Sequence, residues 1–255
     1  MPGSDEGRAN MASDKIVLSV RGTSKRFGGL VAVDGLDFDV REHEVLGLIG
    51  PNGSGKTTMM NLISGALKLT AGQVLLDGRQ ISGLSARDIN RRGVSRTFQL
   101  VKMLPGLSVI ENVLAGAVFG HKRRWGRDAE IFAHTIIDRV GMDYIANAPV
   151  SSLTYIDQKR LELARALASE PEILLLDEWL AGLNPTELET GITLIKELRA
   201  EGRTIILVEH VMDAIRSLCD NCVVMNTGRK IAEGSPDAVL KDPEVVQAYL
   251  GDGDA

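Results

Sequence analysis

One short segment, Gly50 to Thr57 (GPNGSGKT), constrains the fold of this chain more than any other. It fits the pattern G-x-x-x-x-G-K-[ST] of a phosphate-binding loop, or P-loop. Such a loop connects a buried strand to a helix. Residues 45–49 (VLGLI) form an apolar run typical of a buried parallel strand, and residues 58–66 have the composition of a helix. A glycine-rich turn that matched by chance would seldom have both neighbours, so the sequence predicts an α/β fold built around a P-loop.

The chemistry expected of this loop is the binding of nucleotide phosphates. Its glycines let backbone N–H groups turn inward around an anion, and the N-terminus of the following helix favours negative charge. Lys56 is predicted to reach the β- and γ-phosphates, and the Thr57 hydroxyl is predicted to ligate Mg²⁺. The residues expected to contact the nucleotide phosphates are Asn52, Gly53, Ser54, Gly55, Lys56, Thr57 and Thr58.

Composition limits the remaining possibilities. The chain has 255 residues, of which 44% are hydrophobic and 25% charged, enough for one α/β domain with inserts or two small domains. Its formal net charge of −5 argues mildly against a nucleic-acid-binding surface over the whole chain. No run of 18 apolar residues appears, so we expect a cytoplasmic protein. Residues 1–14 lack an apolar segment and are predicted to be a disordered extension, and residues 251–255 a short tail.

The two cysteines, Cys219 and Cys222, have the spacing C-x-x-C. This spacing occurs in redox pairs and in halves of zinc sites, but a closed zinc site needs further ligands that no nearby Cys or His cluster supplies. The simpler interpretation is one buried cysteine at a helix end and another at the start of a strand.

Hydrophobic periodicity places elements on both sides of the P-loop. Residues 15–21 and 35–41 alternate in the manner of half-exposed strands and predict an antiparallel hairpin around 26–29. Further strands are predicted at 72–76, 93–98, 173–176, 203–208, 222–226 and 230–233, and further helices at 85–92, 159–167 and 242–251. Residues 100–148 have helical character, with helices at 109–114 and 128–140, and the helical insert is placed at about 100–165. On 128–140 the apolar side is predicted to comprise Ile131, Ile136, Ile137 and Val140.

The segment His121 to Arg127 is basic and contains one tryptophan. Such a segment can touch lipid head groups or RNA. With a single aromatic residue it is better explained as a solvated loop between two helices.

Polar side chains follow three of the predicted strands. Asp177 and Glu178 end the apolar run 173–176, Gln99 follows 93–98, and His210 follows 203–208. Parallel strands deliver their active-site groups at their carboxyl ends. Taken alone, a carboxylate pair after a strand is more often a helix N-cap, so the joint order of the motifs decides the interpretation.

In the order of its motifs along the chain, the sequence resembles the ATP-binding subunits of ABC transporters, over roughly residues 15–250. The motifs are the P-loop, Gln99, the segment Leu153 to Gln158 (LTYIDQ) leading into a helix, residues 173–178, Ala181 to Pro185 (AGLNP), and His210. The resemblance implies a single α/β P-loop NTPase domain of the ABC ATPase type at 15–250, with an N-terminal antiparallel β-subdomain and the helical insert.

The resemblance also implies roles for single residues. Glu178 is the expected general base, and His210, Lys56 and Gln99 complete the catalytic group. Thr57, Gln99 and Asp177 are expected to hold Mg²⁺, and ATP is the expected nucleotide. Phe27 is expected to stack on adenine, although packing under the hairpin explains it equally well from sequence. Thr154, Ile156 and Gln158 belong to the signature segment, which faces the ATP held by the opposite subunit of a head-to-tail dimer.

Several positions depart from the family pattern. Thr154 replaces the usual signature serine and keeps its hydroxyl, whereas Ile156 stands where a glycine normally lets the backbone approach the γ-phosphate. Trp179 replaces the proline common after the catalytic glutamate, and Asn184 replaces an aspartate. If the dimer partner is a different ATPase, Ile156 is expected to weaken only the site built on the partner's P-loop.

Residues 26–33 (RFGGLVAV), 181–187 and 248–251 resemble the ATPase subunits of branched-chain amino acid importers. This implies two permease subunits, a second ATPase subunit in a homo- or heterodimer, an indirectly engaged solute-binding protein, no nucleic acid, and a peripheral position on the cytoplasmic face of the membrane. The permeases are expected to dock in a groove at Gln99 and 101–112.

Other ABC systems share these features, namely urea or amide importers and the ATPase of lipopolysaccharide export. Two further functions belong to different classes of protein. One is a soluble non-transport ABC ATPase that acts on ribosomes or DNA, and the other is a regulatory subunit with little hydrolysis.

Overall fold

The computed structural model of this protein describes residues 14–250. The strands are β1 (Ile16–Phe27), β2 (Leu30–Arg41), β3 (Val45–Ile49), β4 (Ala71–Leu76), β5 (Arg79–Gln80), β6 (Val94–Arg96), β7 (Ile173–Asp177), β8 (Thr204–Val208), β9 (Asn221–Asn226) and β10 (Arg229–Gly234). The helices are α1 (Lys56–Ile63), α2 (Ala86–Asn90), α3 (Val109–Phe119), α4 (Gly126–Arg139), α5 (Tyr155–Ala168), α6 (Pro185–Ala200), α7 (Met212–Leu218), α8 (Pro236–Val239) and α9 (Pro243–Leu250).

The strands form two sheets. An antiparallel four-stranded sheet has the order β2-β1-β4-β5, and a six-stranded sheet has the order β10-β9-β3-β8-β7-β6. In the larger sheet β9, β3, β8, β7 and β6 pair in parallel, and only β10 runs antiparallel to β9. Strands β3, β7 and β8 are buried at every position, because helices or the smaller sheet cover both faces. The predicted fold class, an α/β P-loop core with an antiparallel sheet and a group of helices, is confirmed.

The hairpin is longer than its alternating pattern predicted. Strands β1 and β2 run to Phe27 and from Leu30, so that only Gly28 and Gly29 form the turn. Leu36, Phe38 and Val40 form the buried side of the alternating segment 35–41. The predicted N-terminal extension and C-terminal tail fall almost entirely outside the described residues.

Helices α3, α4 and α5 pack together beside the larger sheet. One prediction for α4 is wrong, because Ile131 is exposed on the opposite side from Ile136 and Ile137. The buried stripe runs through Ala129 and Ala133, four residues apart, and Ile131 lies two residues from each. Two residues correspond to a rotation of roughly 200° around a helix, which directs Ile131 to solvent.

Close packing of α3 on α5 depends on Gly116. A Cβ added at this helical glycine would lie 2.3 Å from the backbone oxygen of Arg165. We therefore expect Gly116→Ala to lower the free energy of unfolding by about 1–3 kcal/mol, although alanine is the better helix former. Urea unfolding measures this. Gly29→Ala is the matched control, because its added Cβ meets open space. Equal stability of the two variants would contradict the packing explanation.

The remaining sequence predictions concern a loop and a cysteine pair. The basic segment connects α3 to the start of α4, with Trp125 exposed, and Arg124 pairs with Glu170 and Asp128. Cys219 follows α7 and Cys222 lies in β9, and both are buried free thiols, as predicted. Within residues 14–250, no helix has the length and apolar character needed to cross a membrane.

Candidate functional site

The P-loop lies between β3 and α1, as predicted. Gly55 caps α1 with φ 104°, and Gly50 has φ 145°, both in the region that favours glycine. The space around them is closed as well. A Cβ at Gly50 would lie 2.0 Å from the Met225 carbonyl oxygen, and one at Gly55 would lie 2.4 Å from that of Ala32. Neighbouring backbone therefore fixes the shape of the loop before any ligand arrives, while Asn52 and Gly53 stay exposed.

Lys56 lies within its own loop. Its ammonium donates to the carbonyl oxygens of Gly50 at 2.7 Å and Pro51 at 2.8 Å, and the side chain is buried. Burial lowers the pKa of Lys56, and the nearby carboxylates of Glu178 and Asp177 oppose that shift. A cation held by the carbonyls of its own loop can donate to phosphate oxygens instead.

Strand order brings three of the predicted catalytic groups into contact. Strands β6, β7 and β8 are neighbours, and their carboxyl ends lead to Gln99, Glu178 and His210. The carboxylate of Glu178 accepts hydrogen bonds at both oxygens, from Gln99 Nε2 at 2.9 Å and from His210 Nε2 at 2.9 Å. Glu178 is therefore held between two polar side chains at the edge of the sheet, within electrostatic range of Lys56.

Asp177 ends β7 and is buried beside Arg96, a residue that the sequence motifs do not include. Its Oδ2 accepts from Arg96 at 2.7 Å, and both side chains are almost completely enclosed. Burial raises the pKa of Asp177, and Arg96 opposes the shift. Its Oδ1 is also buried but has no hydrogen-bond partner among residues 14–250. A buried carboxylate oxygen with an unused acceptor suits a hard cation or the water that such a cation binds.

Arg96 and Glu162 hold the ends of the segment around Gln99. Arg96 also donates to Asn61 on α1 at 2.7 Å. The Glu162 carboxylate accepts from the backbone N–H of Phe98 at 3.1 Å and of Lys102 at 2.9 Å. These contacts fix the backbone on either side of Gln99. In the sequence, Glu162 is one charged residue on a helix, with no signal that distinguishes it from its neighbours.

The signature residues form the first turn of α5. The Thr154 hydroxyl caps the helix by accepting from the Asp157 N–H at 3.2 Å, and Gln158 Nε2 donates to the Leu153 carbonyl at 3.1 Å. These hydrogen bonds are local and do not reach Glu178. Ile156 is half-buried and lines a cavity of about 560 Å³ between α4, α5 and α6.

Trp179 lines the same cavity as Ile156, so two of the departures from the family pattern are neighbours in space. A Cβ at Gly191 of α6 would lie 3.0 Å from the Trp179 ring and 2.7 Å from Leu180. The absence of a side chain at Gly191 therefore makes room for the tryptophan. Asn184 caps α6 in a capping box with Glu187, which explains an amide at that position.

Phe27 lies at the end of β1. Its ring is about half exposed, with the Lys25 ammonium 4.8 Å from the ring centroid. Packing beneath the hairpin does not fit this exposure. An exposed ring beside a cation leaves a face free for stacking.

Glu209 is a further buried acid next to His210, and it predicts a pH dependence of stability. Burial raises the pKa of Glu209 to about 7, opposed by the Leu180 N–H and by Lys159. Because the folded state holds this proton more tightly, the contribution of Glu209 to stability is full below about pH 4.5 and is lost as pH rises through 7.

We therefore expect Glu209→Gln, which does not titrate, to gain stability relative to the wild type between pH 5 and pH 8, by about 2–3 kcal/mol. Urea unfolding at both pH values gives the difference. Glu130→Gln on the exposed face of α4 is the control for the chemical change itself. If the free energies of unfolding of Glu209→Gln and the wild type differ by the same amount at pH 5 and pH 8, the raised pKa of Glu209 is contradicted.

Comparison with known proteins gives consistent matches. The family model described as ABC transporter matches residues 33–181, and one described as branched-chain amino acid ATP-binding cassette transporter matches residues 229–255. The high-affinity branched-chain amino acid transport ATP-binding protein BraF of Pseudomonas aeruginosa is 40% identical over 92% of this chain and 98% of its own length. The corresponding protein LivG of Escherichia coli K12 is 41% identical, with the same shares of both chains covered.

Solved structures match over nearly the whole chain as well. A crystal structure of the ADP conformation of an ATP-binding cassette of an ABC transporter superposes with a TM-score of 0.82 at 30% identity, covering 93% of this chain and 99% of that one. A nucleotide-free cassette gives 0.83 at 29% identity, covering 92% and 99%. This chain belongs to the ABC transporter family and is one of its ATP-binding, ATP-hydrolysing subunits.

Proposed function

We propose that this subunit hydrolyses ATP to power the import of branched-chain amino acids or closely related small solutes. The observation that carries the chemistry is the Glu178 carboxylate, held at 2.9 Å by both Gln99 and His210 beside the P-loop lysine. The solute class is supported by relatives of about 40% identity, named as branched-chain amino acid transport ATP-binding proteins, that match over 92% of this chain and 98% of their own length.

In the proposed mechanism Glu178 accepts a proton from the water that attacks the γ-phosphate. The bond between the γ-phosphorus and the oxygen bridging to the β-phosphate breaks, and ADP and phosphate are released. His210 contacts that phosphate and the carboxylate together. The P-loop N–H groups and Lys56 neutralise the charge that develops on the phosphate oxygens. Lys56 exchanges its present bonds to the Gly50 and Pro51 carbonyls for bonds to the β- and γ-phosphates. Phe27 stacks on the adenine.

Mg²⁺ is the metal that these residues fit. Thr57, Gln99 and Asp177 would hold it, directly or through water, and the unpartnered Asp177 Oδ1 supports that assignment. When bound, the ion neutralises phosphate charge. Gln99 donates to Glu178 through Nε2, so its amide oxygen would remain available to hold the ion.

The working unit is proposed to be a head-to-tail dimer in which Thr154, Ile156 and Gln158 face the ATP of the opposite subunit. The N-terminus of α5, capped by Thr154, supplies the favourable dipole for phosphate. If the partner is a second, different ATPase, Ile156 weakens only the site built on the partner's P-loop. Mutating Glu178 and the partner's equivalent separately in the assembled complex tests this. Equal losses of turnover would contradict it.

Permeases are proposed to dock beside Gln99, which places this subunit peripherally on the cytoplasmic face of the membrane. Leu100 is 81% exposed and Leu104 is also exposed, as a docking surface requires. Asn112, included in the groove from sequence, is instead fully buried and hydrogen-bonded to the backbone of Leu104.

Residues 15–250 are proposed to act as one ATPase domain, with the helical insert at about 100–165.

Affinity purification from gently solubilised membranes tests the transport assignment, with this chain as bait and Leu100→Asp as a matched docking variant. We expect two hydrophobic permeases and a second ATPase subunit with the wild type, and their loss with the variant. Recovery of ribosomes, or of no membrane protein, would leave the ATPase chemistry standing and remove the role in import.

A further inference from the structure

The turn that carries the catalytic glutamate is bound by a lysine from the signature helix. Lys159 is buried, and its ammonium donates to three backbone carbonyls of this turn, those of Glu178 at 3.1 Å, Trp179 at 3.2 Å and Ala181 at 2.5 Å. In return, Trp179 Nε1 donates to the Lys159 carbonyl at 3.1 Å. Both the main chain and the side chain of Lys159 are thus committed to residues 178–181.

The opposite side of the turn is bound by the segment that leads to His210. Glu209 Oε1 accepts from the Leu180 N–H at 2.6 Å, and the Glu178 N–H donates to the Val208 carbonyl at 2.9 Å. Glu209 is buried, and its Oε2 has no hydrogen-bond partner in the part of the chain that the structure describes. The turn therefore lies between a buried cation on α5 and a buried carboxylate after β8.

The backbone of Glu178 needs this support. Its φ is +52°, a left-handed conformation that a residue with a Cβ adopts only when its surroundings enforce it. Three carbonyls of one short turn also point toward the same place. The Glu178 carbonyl accepts from the Ala181 N–H as well, at 3.3 Å, but without a cation the three oxygens would repel one another. Removing the ammonium would allow the turn to relax and the Glu178 carboxylate to leave its place between Gln99 and His210.

We propose that Lys159 and Glu209 are positioning residues that hold Glu178 in its reactive orientation. The proposal rests on the catalytic role proposed above for Glu178. Lys159 lies five residues after Thr154, on the helix whose first turn is proposed above to face the partner's nucleotide.

Trp179 provides a direct readout of the turn. The chain has two tryptophans, and the other, Trp125, is exposed. In a Trp125→Phe background the fluorescence of the full chain therefore reports on Trp179 alone. Lys159→Met is expected to shift the emission to longer wavelength and to raise acrylamide quenching at least twofold. Lys196→Met, the same change at an exposed position on α6, is expected to do neither. Unchanged fluorescence in Lys159→Met would overturn the proposal.

Steady-state hydrolysis of Mg-ATP by the full chain then separates positioning from folding. Lys159→Met is expected to lower kcat by about 10- to 100-fold while KM and the number of ATP-binding sites per chain stay within twofold of the wild type. Lys159→Arg, which keeps a cation with several donors, should recover most of the loss. Glu209→Leu should lower kcat, and Glu209→Gln, which keeps the acceptor for the Leu180 N–H, should largely preserve it.

Glu178→Gln is the reference variant for interpreting these rates. If Glu178→Gln is inactive but Lys159→Met keeps wild-type kcat, the positioning role is wrong and the role of Glu178 stands. If the lower kcat of Lys159→Met follows a loss of ATP-binding sites, the lysine is structural and the proposal is wrong. If Glu178→Gln keeps its turnover, the catalytic assignment fails and the positioning role fails with it.

Discussion

Replacing Glu178 with glutamine is expected to lower the turnover of ATP by about 10²- to 10⁴-fold. The amide has the size of the carboxylate and keeps one oxygen that can accept from Gln99 or His210, which lie 2.9 Å away on either side. It cannot accept the proton of the attacking water. ATP binding should be kept or tightened, because the substitution removes a negative charge close to the site of the phosphates.

The measurement is phosphate release under saturating Mg-ATP, together with equilibrium binding of ATP to the same protein. Glu130→Gln is the matched control, since it makes the same chemical change on the exposed face of α4. Turnover of Glu178→Gln within threefold of the wild type would show that another group accepts the proton.

Replacing Arg96 with methionine is expected to lower the free energy of unfolding by about 3–5 kcal/mol at pH 8, because it leaves a buried carboxylate without its partner. Asp177 and Arg96 are 2.7 Å apart and almost fully enclosed. Arg96 opposes the rise in the pKa of Asp177, so the variant raises that pKa further. Because a carboxyl with a raised pKa in the folded state lowers stability as pH increases, the loss of unfolding free energy in Arg96→Met should be smaller at pH 5 than at pH 8.

Urea unfolding of wild type and variant at the two pH values measures this effect. Arg79→Met on the exposed strand β5 is the control and should change stability by less than about 0.5 kcal/mol. A loss of unfolding free energy in Arg96→Met that is as small as in the control, or the same at both pH values, would contradict this explanation. It would mean that the ion pair does not stabilise the charged form of Asp177.

The part of the site that could be predicted from the sequence consists of residues close together in the chain or placed at strand ends. The P-loop is one contiguous segment, so the spacing of its residues along the sequence is enough to predict its geometry. Gln99, Glu178 and His210 each follow a buried strand, and the general rule that parallel strands present their carboxyl ends together brings them to one edge.

The supporting residues could not be predicted in this way. Arg96 meets Asp177 because β6 lies beside β7, an adjacency that the one-dimensional pattern does not contain. In the sequence Lys159 is the first of two consecutive basic residues on α5. Only the packing of the helix against the turn directs its side chain inward. Glu209 precedes His210 in the sequence and could have been noted as a charged residue at the end of an apolar strand. The pattern indicated no partner for it.

The central claim is that ATP hydrolysis at Glu178 drives solute import, and uptake of labelled leucine into proteoliposomes tests it most directly. The vesicles would contain this subunit with its co-purified permeases and second ATPase, Mg-ATP inside and the solute-binding protein outside. We predict ATP-dependent accumulation of leucine with the wild type and little or none with Glu178→Gln. Uptake that is equal in the two complexes, or that persists without ATP, would contradict the account.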